Sequence, residues 1–234
     1  MRAKEFLSSR NVDFEIADVL NDADAMEHLR AMNQLRVPVV SVDGRCAYAG
    51  DLDEVADFLG IARTGHRMLP PAQLLEKYDA ILAAGQRYLG AFPPDRLAMT
   101  VPRREKRDMR ELGYHVFAIT EDLMRVKDGD EYVQGTGPVP GDVRSFDDII
   151  SYGEDVRLRL RRWFSSQSAD FWTQTRTTSY GTFPMHKYLE RATWHSGQHV
   201  RQILEMSRAA AIDIRDALPA TVFTGLPMPQ KIWD

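Results

Sequence analysis

Cysteine is almost missing from this chain: 234 residues contain one, Cys46. A single thiol excludes an intramolecular disulfide framework and any internal C-x-x-C redox pair, and it fits a reducing, cytoplasmic setting. A surplus of positive charge is also missing. The formal net charge of -4 supplies no basic field for nucleic acid or an anionic membrane. Arg103, Arg104, Lys106 and Arg107 are offset by Glu105 and Asp108, while Arg157, Arg159, Arg161 and Arg162 alternate with apolar residues, so both groups read as solvated helix faces. No apolar run approaches the roughly 20 residues of a membrane span. The opening segment, Met1 to Arg10, lacks a signal-peptide apolar region and reads as an amphipathic helix. Internal repeats and low-complexity runs are absent. What remains, 44% hydrophobic and 27% charged, suffices for one large or two small globular domains.

Two regions differ in pattern. Residues 1–61 alternate short helix and short strand: a helix over Ala3–Ser9, a period-2 strand over Asp13–Val19 with Phe14 and Ile16 on one face, and a helix over Asp24–Met32. A buried strand over Val37–Val42 then turns at Asp43-Gly44 into a second strand ending at Tyr48. Asp51 caps a helix from Leu52 to Leu59, stopped by Gly60. Residues 62–69 read as a linker. From residue 70 to 234 the pattern is almost wholly helical, with helices over Pro71–Leu89, Arg103–Val126, Ser145–Trp163 and Pro184–Ala210. A Gly/Pro-rich loop covers Lys127–Arg144, and Gln167–Phe183 reads as irregular. Pro219, Pro227 and Pro229 break a tail that should wrap the helices. The fold class expected is α+β in two domains, the second an all-α four-helix bundle.

Histidines supply the chemistry. At about 100° per residue, His195 and His199 stand one turn apart on one face, shared with Tyr188, Ala192, Ile203 and Met206. His115 lies in the Leu112/Ile119/Leu123 stripe of the second long helix. An unsatisfied polar group in an apolar stripe costs on the order of 1–3 kcal/mol. One divalent metal ion shared by the three imidazoles removes that cost and leaves open positions for a further ligand. Ordinary core histidines bonded to carbonyls are the competing reading. His28, His66 and His186 are assigned to that second class, His186 because it points away from the His195 face.

Gly113-Tyr114-His115, together with Trp194-His-Ser-Gly-Gln-His-Val-Arg-Gln-Ile203, makes residues 70–234 resemble the DinB-like family of metal-binding four-helix bundles. The resemblance implies that His115, His195 and His199 ligate one ion, which in that family is zinc, nickel, iron or manganese. It also implies kinship with transferases and isomerases that use low-molecular-weight thiols. Such bundles often dimerise, so a homodimer is within the expectation.

The first region resembles a glutaredoxin. The resemblance lies in Ala3-Lys-Glu-Phe-Leu7, Phe14-Glu-Ile-Ala-Asp-Val19, Arg36-Val-Pro-Val-Val-Ser-Val-Asp-Gly44 and Ala49-Gly-Asp-Leu52. It implies a partial thioredoxin fold with Pro38 as the cis-proline, Val37 pairing with a bound thiol, and Gly50 and Asp51 receiving the carboxylate of glutathione. The first strand and the C-x-x-C of that family are missing, and Cys46 reads as structural. Either Met1 is an internal methionine with that motif encoded upstream, or the region is a degenerate module that docks or binds a thiol without reacting.

The leading expectation is therefore a thiol-dependent transferase or isomerase. In it, a metal-activated small thiol (glutathione or a similar one) meets an electrophilic substrate. No catalytic base is identified, since Tyr114 beside His115 should point elsewhere. The alternative is a non-catalytic stress or redox-responsive metal-binding protein. A DNA-binding role fits the acidic balance poorly, and neither nucleic acid nor membrane is expected as a partner.

Overall fold

The computed structural model describes residues 2–19, 21–32, 37–102, 104–126, 137–178 and 181–233. Met1, Arg36, Arg103 and most of the expected Gly/Pro loop, residues 127–136, lie outside that set. The chain divides into two compact units, Met1–His66 and Arg67–Asp234. Among the described residues the architecture is α+β and mostly helical, with three two-stranded sheets. No helix among them is long and apolar enough to cross a membrane.

The first unit contains helices α1 (Arg2–Ser8), α2 (Ala23–Ala31) and α3 (Leu52–Leu59) and one antiparallel hairpin, β1 (Val39–Val42) with β2 (Arg45–Tyr48). Asp43 and Gly44 both have positive φ, 52° and 72°, the backbone that a two-residue hairpin turn requires. Asp51 starts α3 by accepting from the amides of Asp53 and Glu54, and Gly60 ends it at φ 65°. Phe6 and Leu7 of α1 pack with Ala47, Ala49, Leu52, Val55 and Ala56 to form a small, alanine-rich core. The strand expected over Asp13–Val19 does not form; the segment is irregular, with Phe14 and Ile16 exposed. Period-2 alternation marks a segment able to pair, but only a neighbouring ladder makes it a strand, and β1 and β2 pair with each other.

The second unit is built on helices α4 (Pro71–Gly90), α5 (Met109–Arg125), α6 (Phe146–Ser165) and α7 (Met185–Ala209). Helix α4 packs on α6 and α7, and α5 packs on the same two. Leu74, Ile81 and Leu82, Leu112 and Ile119, Ile149 and Leu160, and Leu189 and Ile203 are fully buried between them. Each such side chain contributes roughly 1.5–3 kcal/mol through removal from water. The approach is close at the Gly153 position, where a Cβ would meet the ring of Phe117 at 2.7 Å.

The structure revises two boundaries here. Residues expected to open the second long helix instead form β4 (Arg104–Asp108), paired with β3 (Thr100–Val101). The helix begins at Met109 because Asp108 and Glu111 form a reciprocal capping box that fixes its first turn. Ser145 and Asp148 start α6 in the same way. Within the segment expected to be irregular, Ala169–Thr173 is a 3-10 turn, and β5 (Thr175–Thr178) pairs with β6 (Gly181–Pro184). The threonines favour a strand, and the hydroxyls of Thr177 and Thr182 meet across it at 2.9 Å.

The tail lies along the helices as expected. Lys77 donates to the Val222 carbonyl at 2.9 Å, and the Leu218 amide donates to the Tyr88 hydroxyl at 2.6 Å. Further on, Gln198 donates to the carbonyls of Lys231 and Ile232, and Arg201 donates to that of Pro229.

Candidate metal centre

Helix α5 presents His115 and helix α7 presents His195 and His199, so that one ligand atom from each lies within 4.8 Å of the others. The rings meet at centroid distances of 4.7 Å (His115–His199), 4.9 Å (His195–His199) and 5.3 Å (His115–His195). Spacing by four residues supplies the α7 pair, because residues i and i+4 are neighbours on a helix face. The third ring arrives through helix packing. Ser196, next to His195, donates to the carbonyl of Val116, next to His115, at 2.9 Å. That bond sets the register of the two helices one residue beyond each histidine. Behind it the fully buried Tyr78 hydroxyl lies 2.6 Å from Thr120 Oγ1 and 3.3 Å from Ser196 Oγ. Burial pushes the Tyr78 phenol pKa far above its ordinary value, so it stays protonated and serves as a bonding group.

The donor set fits a divalent ion. His195 as a residue is partly exposed, yet its Nδ1 is buried and has no hydrogen-bond partner. Leaving such an atom unsatisfied costs about 1–3 kcal/mol, and an ion accepting its lone pair would remove that cost. Burial, the two neighbouring imidazoles, and Arg191 and Arg107 hold the His195 pKa well below 6.5. The ring is therefore neutral at pH 7, the form that ligates a metal. His199 directs Nδ1 to Gln202 Oε1 at 2.7 Å, and its Nε2 is buried in the cluster. Three histidines held in this way could bind zinc or a similar ion and leave a coordination position for another ligand.

The cluster consists of these three histidines among the described residues. Outside it, His186 bonds the Leu69 carbonyl through Nε2 at 2.7 Å, as expected of a core-type histidine. Tyr114 stacks on Tyr152 at 4.7 Å rather than entering the cluster. Sequence reasoning assigned no role to Ser196 or Gln202, although both stand inside the histidine motif. Gln202 stands three residues after His199, a helical contact spacing, and that offset was the available signal for it, whereas Ser196 acts through Val116, which no spacing reports.

In the first unit, Val37 and Pro38 precede β1 while Gly50 and Asp51 follow β2, so the hairpin brings the four to one end. The Ala49 amide donates to the Pro38 carbonyl at 2.9 Å, and the Val37–Pro38 peptide is cis, the isomer the glutaredoxin resemblance implies. Asp51 Oδ1 already accepts from the amides of Asp53 (3.0 Å) and Glu54 (3.4 Å). Those are the donors a ligand carboxylate would seek at this helix start. Cys46 is half-buried in β2, opposite Ser41, and forms no disulfide.

No curated protein matches the chain. Residues 1–47 match the glutaredoxin family model, which makes this part of the chain glutaredoxin-like.

Proposed function

We propose that the second unit is a DinB-like four-helix bundle that holds one divalent ion on His115, His195 and His199. In this reading residues 1–61 form the glutaredoxin-like domain, 62–69 the linker and 70–234 the bundle. One observation carries the proposal: three imidazoles from two helices converge, and the buried Nδ1 of His195 has no hydrogen-bond partner. A bound ion of this kind supplies Lewis acidity that lowers the pKa of a thiol in its open position. The protein's own part is to keep His195 neutral through burial and to hold α5 and α7 in register through Ser196 and Tyr78. The substrate pair is a low-molecular-weight thiol and an electrophile, and the reaction is transfer or thiol-assisted isomerisation. The glutaredoxin-like match of residues 1–47 supports a thiol as one of the two.

The single cysteine favours a second reading for the first unit. Residues 1–61 hold one thiol and cannot by themselves run dithiol exchange, and in this reading the unit binds a thiol or docks. Metal quantification on protein purified without a histidine tag, beside His195→Ala, tests the centre. About one equivalent in the wild type and none in the variant is expected, and a metal-free wild type would sink the proposal. Turnover with thiol and electrophile panels, lost in His195→Ala with the fold intact, separates an enzyme from a non-catalytic metal binder.

A further inference from the structure

Gln202 stands between the histidine cluster and the C-terminal tail. Its Nε2 donates to the Ile232 carbonyl at 2.9 Å, and its Oε1 lies 2.7 Å from His199 Nδ1. A carbonyl oxygen only accepts, so the amide nitrogen of Gln202 must face Ile232 and its oxygen must face the histidine. An amide oxygen also only accepts, so His199 Nδ1 must carry the proton. A ring that carries this proton and no other has its lone pair on Nε2, the nitrogen buried in the cluster. The tail segment that sets this order is itself well held. Gln198 Nε2 donates to Ile232 at 2.7 Å and to Lys231 at 3.0 Å, and Arg201 donates to Pro229 at 2.8 Å.

We infer that Gln202 is a positioning residue for the metal centre: the tail carbonyl of Ile232 orients its amide, and the amide selects the His199 tautomer that offers Nε2 to the ion. The inference rests on the proposed metal centre for its consequence, but the tautomer itself can be read without metal. A hydrogen-bonded partner on the second nitrogen of a ligating histidine fixes ring and tautomer, and its loss typically lowers metal affinity about 10–100-fold.

Two variants separate positioning from simple tail clamping. Gln202→Leu and Gln202→Glu both lose the donor to Ile232, but only Glu keeps an oxygen that can accept from His199 Nδ1. A clamp predicts equal losses, whereas positioning predicts that Glu rescues. The first measurement is nitrogen-15 NMR of the histidine rings in metal-free protein. The expected result is His199 protonated at Nδ1 in the wild type and Gln202→Glu, with that preference lost in Gln202→Leu. A wild-type ring protonated at Nε2 overturns the inference. The second is competition titration with zinc. Gln202→Leu should bind about 10–100-fold more weakly, and Gln202→Glu should stay clearly closer to wild type than Gln202→Leu does. Equal affinity in wild type and Gln202→Leu, with His195→Ala abolishing binding, overturns the inference and leaves the centre standing. A wild type that binds no zinc removes the centre, and the ring spectra then decide the tautomer alone.

Discussion

The two units pair family likeness and site chemistry in opposite ways. The first has a glutaredoxin family match over residues 1–47 and a cis Val37–Pro38 peptide, yet these residues hold one cysteine and do not by themselves supply a thiol pair. The second has a convergent donor set of three histidines and a buried ring nitrogen in need of a ligand. Their interiors differ in the same sense. Small residues, Ala47, Ala49 and Ala56, make up much of the first core, whereas long helices bury Leu112, Ile119 and Tyr78 around Thr120, Ser196 and His199. A family likeness describes how a chain is laid out, and a site describes what it can do. Here the two kinds of information come from different ends of the chain.

Core truncation should give the largest effect and the clearest contrast. Leu112→Ala, at a fully buried position, should destabilise the second unit toward the upper end of about 2–5 kcal/mol, and Leu52→Ala the first toward the lower end. Urea unfolding followed by circular dichroism would check this, and equal losses would remove the contrast in core quality. Next, zinc at about 100 times its Kd should stabilise the wild type by about 2.7 kcal/mol. His115→Ala should show no such gain, while Cys46→Ser should keep it in full. Thermal melts with and without zinc decide, and a gain lost in Cys46→Ser would move the site to the wrong unit.

Capping effects should be smaller and alike in both units. Asp108→Ala and Asp51→Ala should each cost about 1 kcal/mol, since each carboxylate accepts amides at a helix start. The smallest effect concerns acid. Burial pushes the Asp79 pKa up, but hydrogen bonds from Arg157 and Arg161 outweigh it and hold the group below its ordinary 3.8. The folded pKa lies below the unfolded one. The stabilisation is therefore present above the ordinary carboxylate range and is lost as pH falls through the folded value. Asp79→Asn should be less stable than the wild type at pH 7, and the gap should close in strong acid. A gap that stays constant with pH would show that the arginine pairing contributes nothing.

Local signals in the sequence carried most of the architecture. Asp51 and Gly60 bracket α3 by capping chemistry alone, and the His195/His199 offset places two rings on one face before any packing is known. The start of α5 was equally legible in Asp108 and Glu111, but a continuous polar run through Arg103–Arg107 masked it. Phe14 and Ile16 show the opposite case. Their alternation is genuine, but strand formation depends on a partner elsewhere, which no local pattern reports. The Ser196 bond to Val116 and the Gln202 bridge to Ile232 join residues far apart in sequence, so they belong to the packing and could not be read from spacing.

The position of His115 relative to the α7 pair has a further consequence, in the language of polymers. His195 and His199 close a loop of four residues, which a helix closes by itself, whereas His115 and His195 are separated by about eighty. An ion gripping all three would be a removable cross-link around a long loop that contains the whole of α6 and the β5–β6 hairpin. Loop-closure entropy grows with the logarithm of loop length. Nearly all the conformational restraint such an ion exerts would therefore pass through His115, and a chelator would act on this chain much as a reductant acts on a disulfide.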